Sequence, residues 1–179
     1  GSNIKEVDEA LKSASKKGTG ESGFPDFTAK VKDFLIVIED KSDLSKHCKL
    51  DSNSCIDLDN IKSITDYAVN GAIHYAKHLA KNTSFKKIIA IGVSGDEKHH
   101  KISPYFINER GILDKKLNDL ETFTLLNEDN IESYYSQEIL NITPKEETTD
   151  EEVKQDAEYL HECLRNYGAI KDADKPLIV

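Results

Sequence analysis

Five apolar residues in a row, Phe34-Leu35-Ile36-Val37-Ile38, run without a break into Glu39-Asp40-Lys41. The run is short for a helix and has no polar alternation, so it offers no face to water and reads as a central strand covered on both sides. A second run of the same kind, Lys87-Ile88-Ile89-Ala90-Ile91-Gly92-Val93-Ser94, occurs later in the chain. Two such strands require a sheet with a layer of structure on each face.

Helical periodicity supplies the layers. Ile4, Val7, Ala10, Leu11 and Ala14 recur at helical spacing, and Lys16-Lys17-Gly18 reads as a basic last turn with a glycine stop. Residues 26–31 and 33–38 read as two strands joined by a turn near Lys32. Asp59 is the expected N-cap of one long helix that carries Ile61, Ile64, Ala68, Ala72, Tyr75 and Leu79 on a single stripe. After the strand at 87–94 come a polar turn at Gly95-Asp96-Glu97 and a partner strand over 101–107. Thr149 to Glu152 forms a capping box that opens a last helix through Val153, Ala157, Leu160 and Leu164, with Gly168 as its stop. The predicted fold is therefore α/β, a mixed central sheet flanked by helices in the order α-β-β-α-β-β-α.

The 179 residues suffice for one well-cored domain. No apolar stretch approaches the roughly 20 residues that span a bilayer, and no signal peptide is evident. The three cysteines, Cys48, Cys55 and Cys163, form no C-x-x-C pair, which suits a reducing compartment, and the expected location is the cytoplasm. Gly1-Ser2 resembles a cloning scar, methionine is absent, and residues 169–179 read as the start of a linker. The expectation is a single domain, 1–179, excised from the amino-terminal part of a longer chain.

Net charge is -9, but it is unevenly placed. Residues 145–158 hold seven acids and two lysines, a local -5, whereas residues 77–101 hold six lysines against Asp96 and Glu97, a local +4. A polyanionic partner is therefore not excluded. Lys77, Lys81, Lys86, Lys87, Lys98 and Lys101 read as solvated lysines, with phosphate contact as the second reading for a few of them.

The charged end of the first strand run has a chemical use. Side chains two apart on a strand share a face, so Glu39 and Lys41 project together and Asp40 points away. Asp26 lies thirteen positions before Glu39, a gap that fits two consecutive strands with a tight turn and brings both acids to one end of the sheet. Two carboxylates, with the Asp40 backbone carbonyl between them, offer the oxygen ligands a hard divalent cation such as Mg2+ prefers, with Mn2+ as its substitute. Such a cation polarises a phosphate and lowers the pKa of a water, and Lys41 can orient that water or stabilise charge on phosphate oxygens. The bland alternative is a strand edge capped by solvated charges.

Pro25-Asp26 followed by Glu39-Asp40-Lys41, with a helix before and a helix after, resembles the PD-(D/E)xK nuclease superfamily. Within it, GFPDF, LIVIEDKSD, DYAVNGAIHYAKHLA and DADKPLIV resemble amino-terminal nuclease domains of restriction-modification enzymes that carry an adenine-specific DNA methyltransferase further along the chain. The resemblance implies a restriction-endonuclease-like fold and a magnesium-dependent DNA endonuclease of type I or fused type II. In it, Asp26 and Glu39 bind the metal, Lys41 serves the attacking water, and an acid of the first helix, Glu6 or Glu9, joins the site. It further implies double-stranded DNA as partner, together with methyltransferase and target-recognition domains of the same polypeptide, with S-adenosylmethionine confined to the methyltransferase. Relatives place Gln and Tyr four apart on the helix after the E-x-K strand. Here Tyr67 is followed at that spacing by Gly71, and Asn70 and His74 are the candidate DNA-contacting replacements, beside Lys86, Lys87, Lys98 and Lys101.

Other signals carry less. There is no P-loop and no dinucleotide fingerprint, Ser94-Gly95 lacks the context of a hydrolase elbow, and His47-Cys48 with Cys55 lacks the spacing of a structural zinc site. His99-His100 after Asp96-Glu97 falls in a turn, where polar residues need no function. No NPPY-like tetrapeptide occurs, so any methyltransferase lies outside these residues. Two rival readings are a repair or junction-resolving nuclease of the same fold, and an inactive nuclease fold used as a DNA-binding module.

Overall fold

The computed structural model describes residues 3–141 of the chain. Two units, Gly1–Ile142 and Thr143–Val179, make up the chain, and the described residues belong to the first. The capping box at Thr149, the helix predicted after it, the acidic segment 145–158, Cys163 and the stretch 169–179 lie outside the described residues.

Nine helices and strands carry the described fold: α1 (Lys5–Ala10), β1 (Phe27–Val31), β2 (Phe34–Lys41), α2 (Ile61–Asp66), α3 (Ala68–Asn82), β3 (Lys87–Gly95), β4 (His100–Asn108), β5 (Leu113–Lys116) and α4 (Ile131–Tyr134). The sheet runs β1-β2-β3-β4-β5. Only β2 and β3 are parallel, joined by the crossover through α2 and α3; the other neighbours are antiparallel. The expected mixed sheet flanked by helices is present, with β5 as a strand the sequence reading lacked.

Alternation sorts the central strands onto two cores. Leu35, Val37, Ile88, Ala90, Tyr105 and Ile107 pack under α1 and α3, against Val7, Leu11, Val69, Ile73, Tyr75 and Leu79. Phe34, Ile36, Ile89, Ile91, Ile102 and Phe106 form the opposite core with Leu117, Leu120, Leu126, Ile131 and Tyr134. This two-sided burial is why β2 and β3 read as unbroken apolar runs.

Three local departures position the site. First, α1 passes into a short 3-10 turn, Leu11–Ser13, and stops there, so Lys16 and Lys17 lie beyond the helix rather than in its last turn. Second, the expected long helix is two helices. Asn60, not Asp59, caps α2 by accepting from the Lys62 amide, and Tyr67 between the helices is extended (φ -115°, ψ 137°). The break has a partner: the Val69 amide donates to the His47 carbonyl at 2.9 Å instead of continuing the α2 ladder. Third, β2 extends through Lys41, so Glu39, Asp40 and Lys41 belong to the strand and inherit its pleat.

The break allows the first turn of α3 to press onto β3 at Gly92. A Cβ there would lie 2.5 Å from Val69 Cγ2 and 2.6 Å from the Val69 backbone nitrogen. Since backbone cannot yield as a side-chain tip can, Gly92→Ala is expected to destabilise the fold by at least about 1–3 kcal/mol, read as a lowered denaturant midpoint; an unchanged midpoint would mean that α3 sits further from the sheet.

Candidate active site

Every pair in the β1–β2 ladder follows one register, from Val31 opposite Phe34 to Phe27 opposite Ile38. One further step sets Asp26 opposite Glu39, and opposed residues of an antiparallel pair project from the same face with Cβ atoms about 4.5–5.5 Å apart. Asp26 is also tied across the strands, its Oδ2 accepting from the Asp40 amide at 2.8 Å. A residue in a strand directs its N–H and C=O to the same side, so the Asp40 carbonyl faces the edge where β1 has ended. Asp26 and Asp40 are exposed, Glu39 is buried at 2 % exposure, and Lys41 is half-buried.

Glu39 does not stand alone. Lys16 Nζ donates to its Oε2 at 2.6 Å, and Lys41 Nζ lies 3.7 Å from the same oxygen. Lys16 is itself mostly covered, and its ammonium lies 5.1 Å from the centre of the Tyr75 ring. Burial pushes the Glu39 carboxyl above the usual carboxylate range; the Lys16 bond and charge pull it down, Asp26 pushes it up again, Lys41 pulls it down, and the net direction is upward. Burial likewise raises the Tyr75 phenol, with the charges of Glu39 and Asp26 adding to it, so its hydroxyl stays protonated.

Gly71 of α3 roofs the pair. A Cβ at that position would be 3.1 Å from Glu39 Oε2 and 3.1 Å from Lys16 Nζ. With the Ile64 carbonyl oxygen at 3.0 Å from the same Cβ position, only a residue without a side chain lets α3 pass this close to the ion pair.

Other candidates lie elsewhere. Glu6 bonds to the amide and hydroxyl of Ser84, and Glu9 is exposed and paired with Lys12 at 2.6 Å, so neither first-helix acid reaches Asp26 or Glu39. Asn70 is fully buried. Its amide holds the loop before α2, accepting from the Lys49 amide and donating to the carbonyls of Lys49 and Asp57, which leaves it unable to contact DNA. His74 is bonded through Nε2 to the Ala14 carbonyl at 3.2 Å, a fastening of the loop after α1 rather than a free donor. Lys86 precedes β3 and Lys87 opens it, level with Phe34. That end lies seven residues, or about 23 Å, from Lys41 at the strand rise. They are paired with Glu109 and Asp33. Lys98 and Lys101 are at the near end, Lys101 opposite Ser94, although Lys101 lies 3.6 Å from Asp119. Among the described residues, no group of three or more His, Cys, Asp or Glu side chains is placed to hold a metal ion, and no helix is long and apolar enough to cross a membrane.

Beside this pair lies a buried network that the sequence did not announce. His47 Nδ1 lies 2.7 Å from Ser94 Oγ, and Nε2 lies 2.7 Å from Ser103 Oγ. Ser103 donates its only proton to Asp119 Oδ1 at 2.5 Å. It must therefore accept from Nε2–H, which leaves Nδ1 to accept from Ser94. His47 and both serines are buried, so the network is a pin between the loop after β2 and strands β3 and β4, without an accessible nucleophile.

The chain is 39 % identical over 181 residues to the "Type II restriction enzyme and methyltransferase RM.BcgI" of Heyndrickxia coagulans. The match covers 100 % of this chain and 28 % of that protein, so the chain spans little more than a quarter of its relative's length. No protein-family model matches the chain, and no solved structure matches it.

Burial lowers His47 from its ordinary 6.5 to about 4, with the Lys101 charge helping. Between those values the unfolded chain binds a proton that the folded chain does not. The stability contributed by neutral His47 is complete above pH 6.5 and is lost as pH falls toward 4. The denaturant midpoint of the wild type is expected to fall more steeply over that window than that of His47→Gln; parallel slopes would show that folding does not lower the His47 pKa.

Proposed function

We propose that the chain is the nuclease portion of a restriction-modification enzyme, a metal-dependent DNA endonuclease of the PD-(D/E)xK kind with a restriction-endonuclease-like sheet. The observation that carries this reading is the β1–β2 register, which continues to set Asp26 and Glu39 face to face beside Lys41. Similarity to a restriction enzyme and methyltransferase supports the DNA-cleaving class. Methyl transfer, S-adenosylmethionine and target recognition then belong to the remainder of such a polypeptide, and double-stranded DNA is the substrate.

The residues fit a divalent cation. Glu39 Oε2 already holds a cationic group at 2.6 Å, and the available donors are all oxygen, as Mg2+ and Mn2+ prefer. Asp26, Glu39 and the Asp40 carbonyl are the residues that would hold it. When bound, the cation supplies Lewis acidity toward a phosphate oxygen and lowers the pKa of a water.

The protein's own groups do the rest. Asp26, fastened to the Asp40 amide, cannot drift from the strand end, and Glu39 is fixed by burial. Lys41, on the same face and partly exposed, presents an ammonium toward negative charge that develops on a phosphate. Lys98 and Lys101 are the lysines placed to meet the DNA backbone near that end. Such contacts give affinity without base readout.

Two outcomes are expected. Asp26→Ala and Glu39→Ala each abolish Mn2+ binding in calorimetric titration, and wild-type binding in either would remove the shared site. In a magnesium-dependent plasmid assay on the complete polypeptide, Lys41→Ala lowers cleavage by about 10²–10³, the usual loss for one preorganised donor, with metal binding retained. Undiminished cleavage would instead favour the reading of Lys41 as a strand-end charge.

A further inference from the structure

Lys16 has no part in the proposed metal site, yet it makes the shortest contact to it. Its ammonium donates to Glu39 Oε2 at 2.6 Å, closer than Lys41 at 3.7 Å. The lysine comes from the loop after α1, where the chain has left the helix. That loop is fixed by its own backbone: Ser15 accepts from Gly18, Glu21 accepts from Ser15, and Leu11 accepts from Gly23. Gly23 is locked in place, since a Cβ there would lie 2.5 Å from the Ala14 carbonyl oxygen. Lys16 therefore starts from a rigid base and reaches the carboxylate through its flexible stem alone.

Resting on the metal-site reading, we propose that Lys16 is the resident counter-cation of Glu39, occupying the position of the divalent cation and competing with it. Two observations converge on this. Glu39 is a buried carboxylate, which needs a positive partner wherever water cannot reach it, and Lys16 supplies that partner. A Cβ at Gly71 would lie 3.1 Å from both Glu39 Oε2 and Lys16 Nζ, so α3 closes over the pair and leaves no volume for a second cation beside the ammonium. A lysine suits the task because its single charge on a four-carbon stem is compact and rotates free without backbone movement, unlike the forked guanidinium of arginine. Metal entry then requires that Lys16 swing away from Glu39, and the Tyr75 ring face loses its cation at the same time.

The competition has a measurable size. A contact formed about nine-tenths of the time leaves one-tenth of the molecules competent, which weakens apparent metal affinity about tenfold. Calorimetric titration of the 179-residue chain with Mn2+ at fixed pH is the test, applied to wild type, Lys16→Gln, Lys16→Met and Lys16→Arg. Lys16→Met keeps the aliphatic stem against Tyr75 and answers the question if Lys16→Gln does not fold. The expected result is Mn2+ binding about tenfold tighter in the neutral variants and no tighter in Lys16→Arg. In parallel, the metal-free neutral variants melt below wild type, and Mn2+ raises their Tm by more than it raises that of wild type. Wild-type binding that Lys16→Gln and Lys16→Met leave equal or weaker overturns the competition and leaves the metal site standing. Absence of Mn2+ binding in all four proteins overturns the metal site and the competition together.

Discussion

Burying one carboxylate at the end of a central strand sets most of what surrounds it. Glu39 sits where β2 is still covered by α3, and a charge there is costly unless a cation meets it. Lys16 meets it from the loop that begins where the 3-10 turn after α1 ends at Ser13. Gly71 must stay bare so that both groups fit. For Gly71 to sit there at all, α3 has to begin at Ala68 and lie against Gly92, which is why the stripe from Ile61 to Leu79 is split at Tyr67. The helix break, the loop and the two glycines are thus conditions of one ion pair.

The opposite charges of this region are handled differently next door. His47 lies on the same side of the sheet as Glu39, but burial, with the Lys101 charge, keeps it neutral, and two serine hydroxyls rather than an ion occupy its ring nitrogens. The two solutions are complementary. An ion pair can exchange one cation for another, whereas a saturated hydrogen-bond network has nothing to exchange and serves to hold the loop after β2 against β3 and β4.

The parts of this arrangement that sequence made legible are those set by strand parity. Glu39 and Lys41 share a face because they are two apart, and Asp26 faces Glu39 because a two-residue turn fixes the register; both follow from local spacing. Lys16 was legible only as a basic residue in the last turn of a helix, because its contact spans 23 positions and depends on where α1 stops. The split at Tyr67 was hidden because Ile61, Ile64, Ala68 and Ala72 keep helical spacing straight through it. Asn70 reads as a surface residue by type, and only the fold reveals that its amide saturates the loop before α2. Strand β5 has four residues, too few for a period to emerge.

Lys32 adopts a left-handed conformation, with φ 53°, at the tip of the β1–β2 hairpin. The hairpin is local in sequence, its farthest link being the bond between Asp26 and Asp40 across 14 positions. Hairpins of that kind close in about 1–10 μs, well before a chain can pay the entropy of a parallel pairing such as β2 with β3. The two acids are therefore brought face to face early in folding, while Gly71 and the rest of α3 arrive with the long-range contacts. A one-residue slip at the Lys32 turn would send Glu39 to the other face of the sheet, so the fidelity of this turn decides, before the core exists, whether the site is assembled at all.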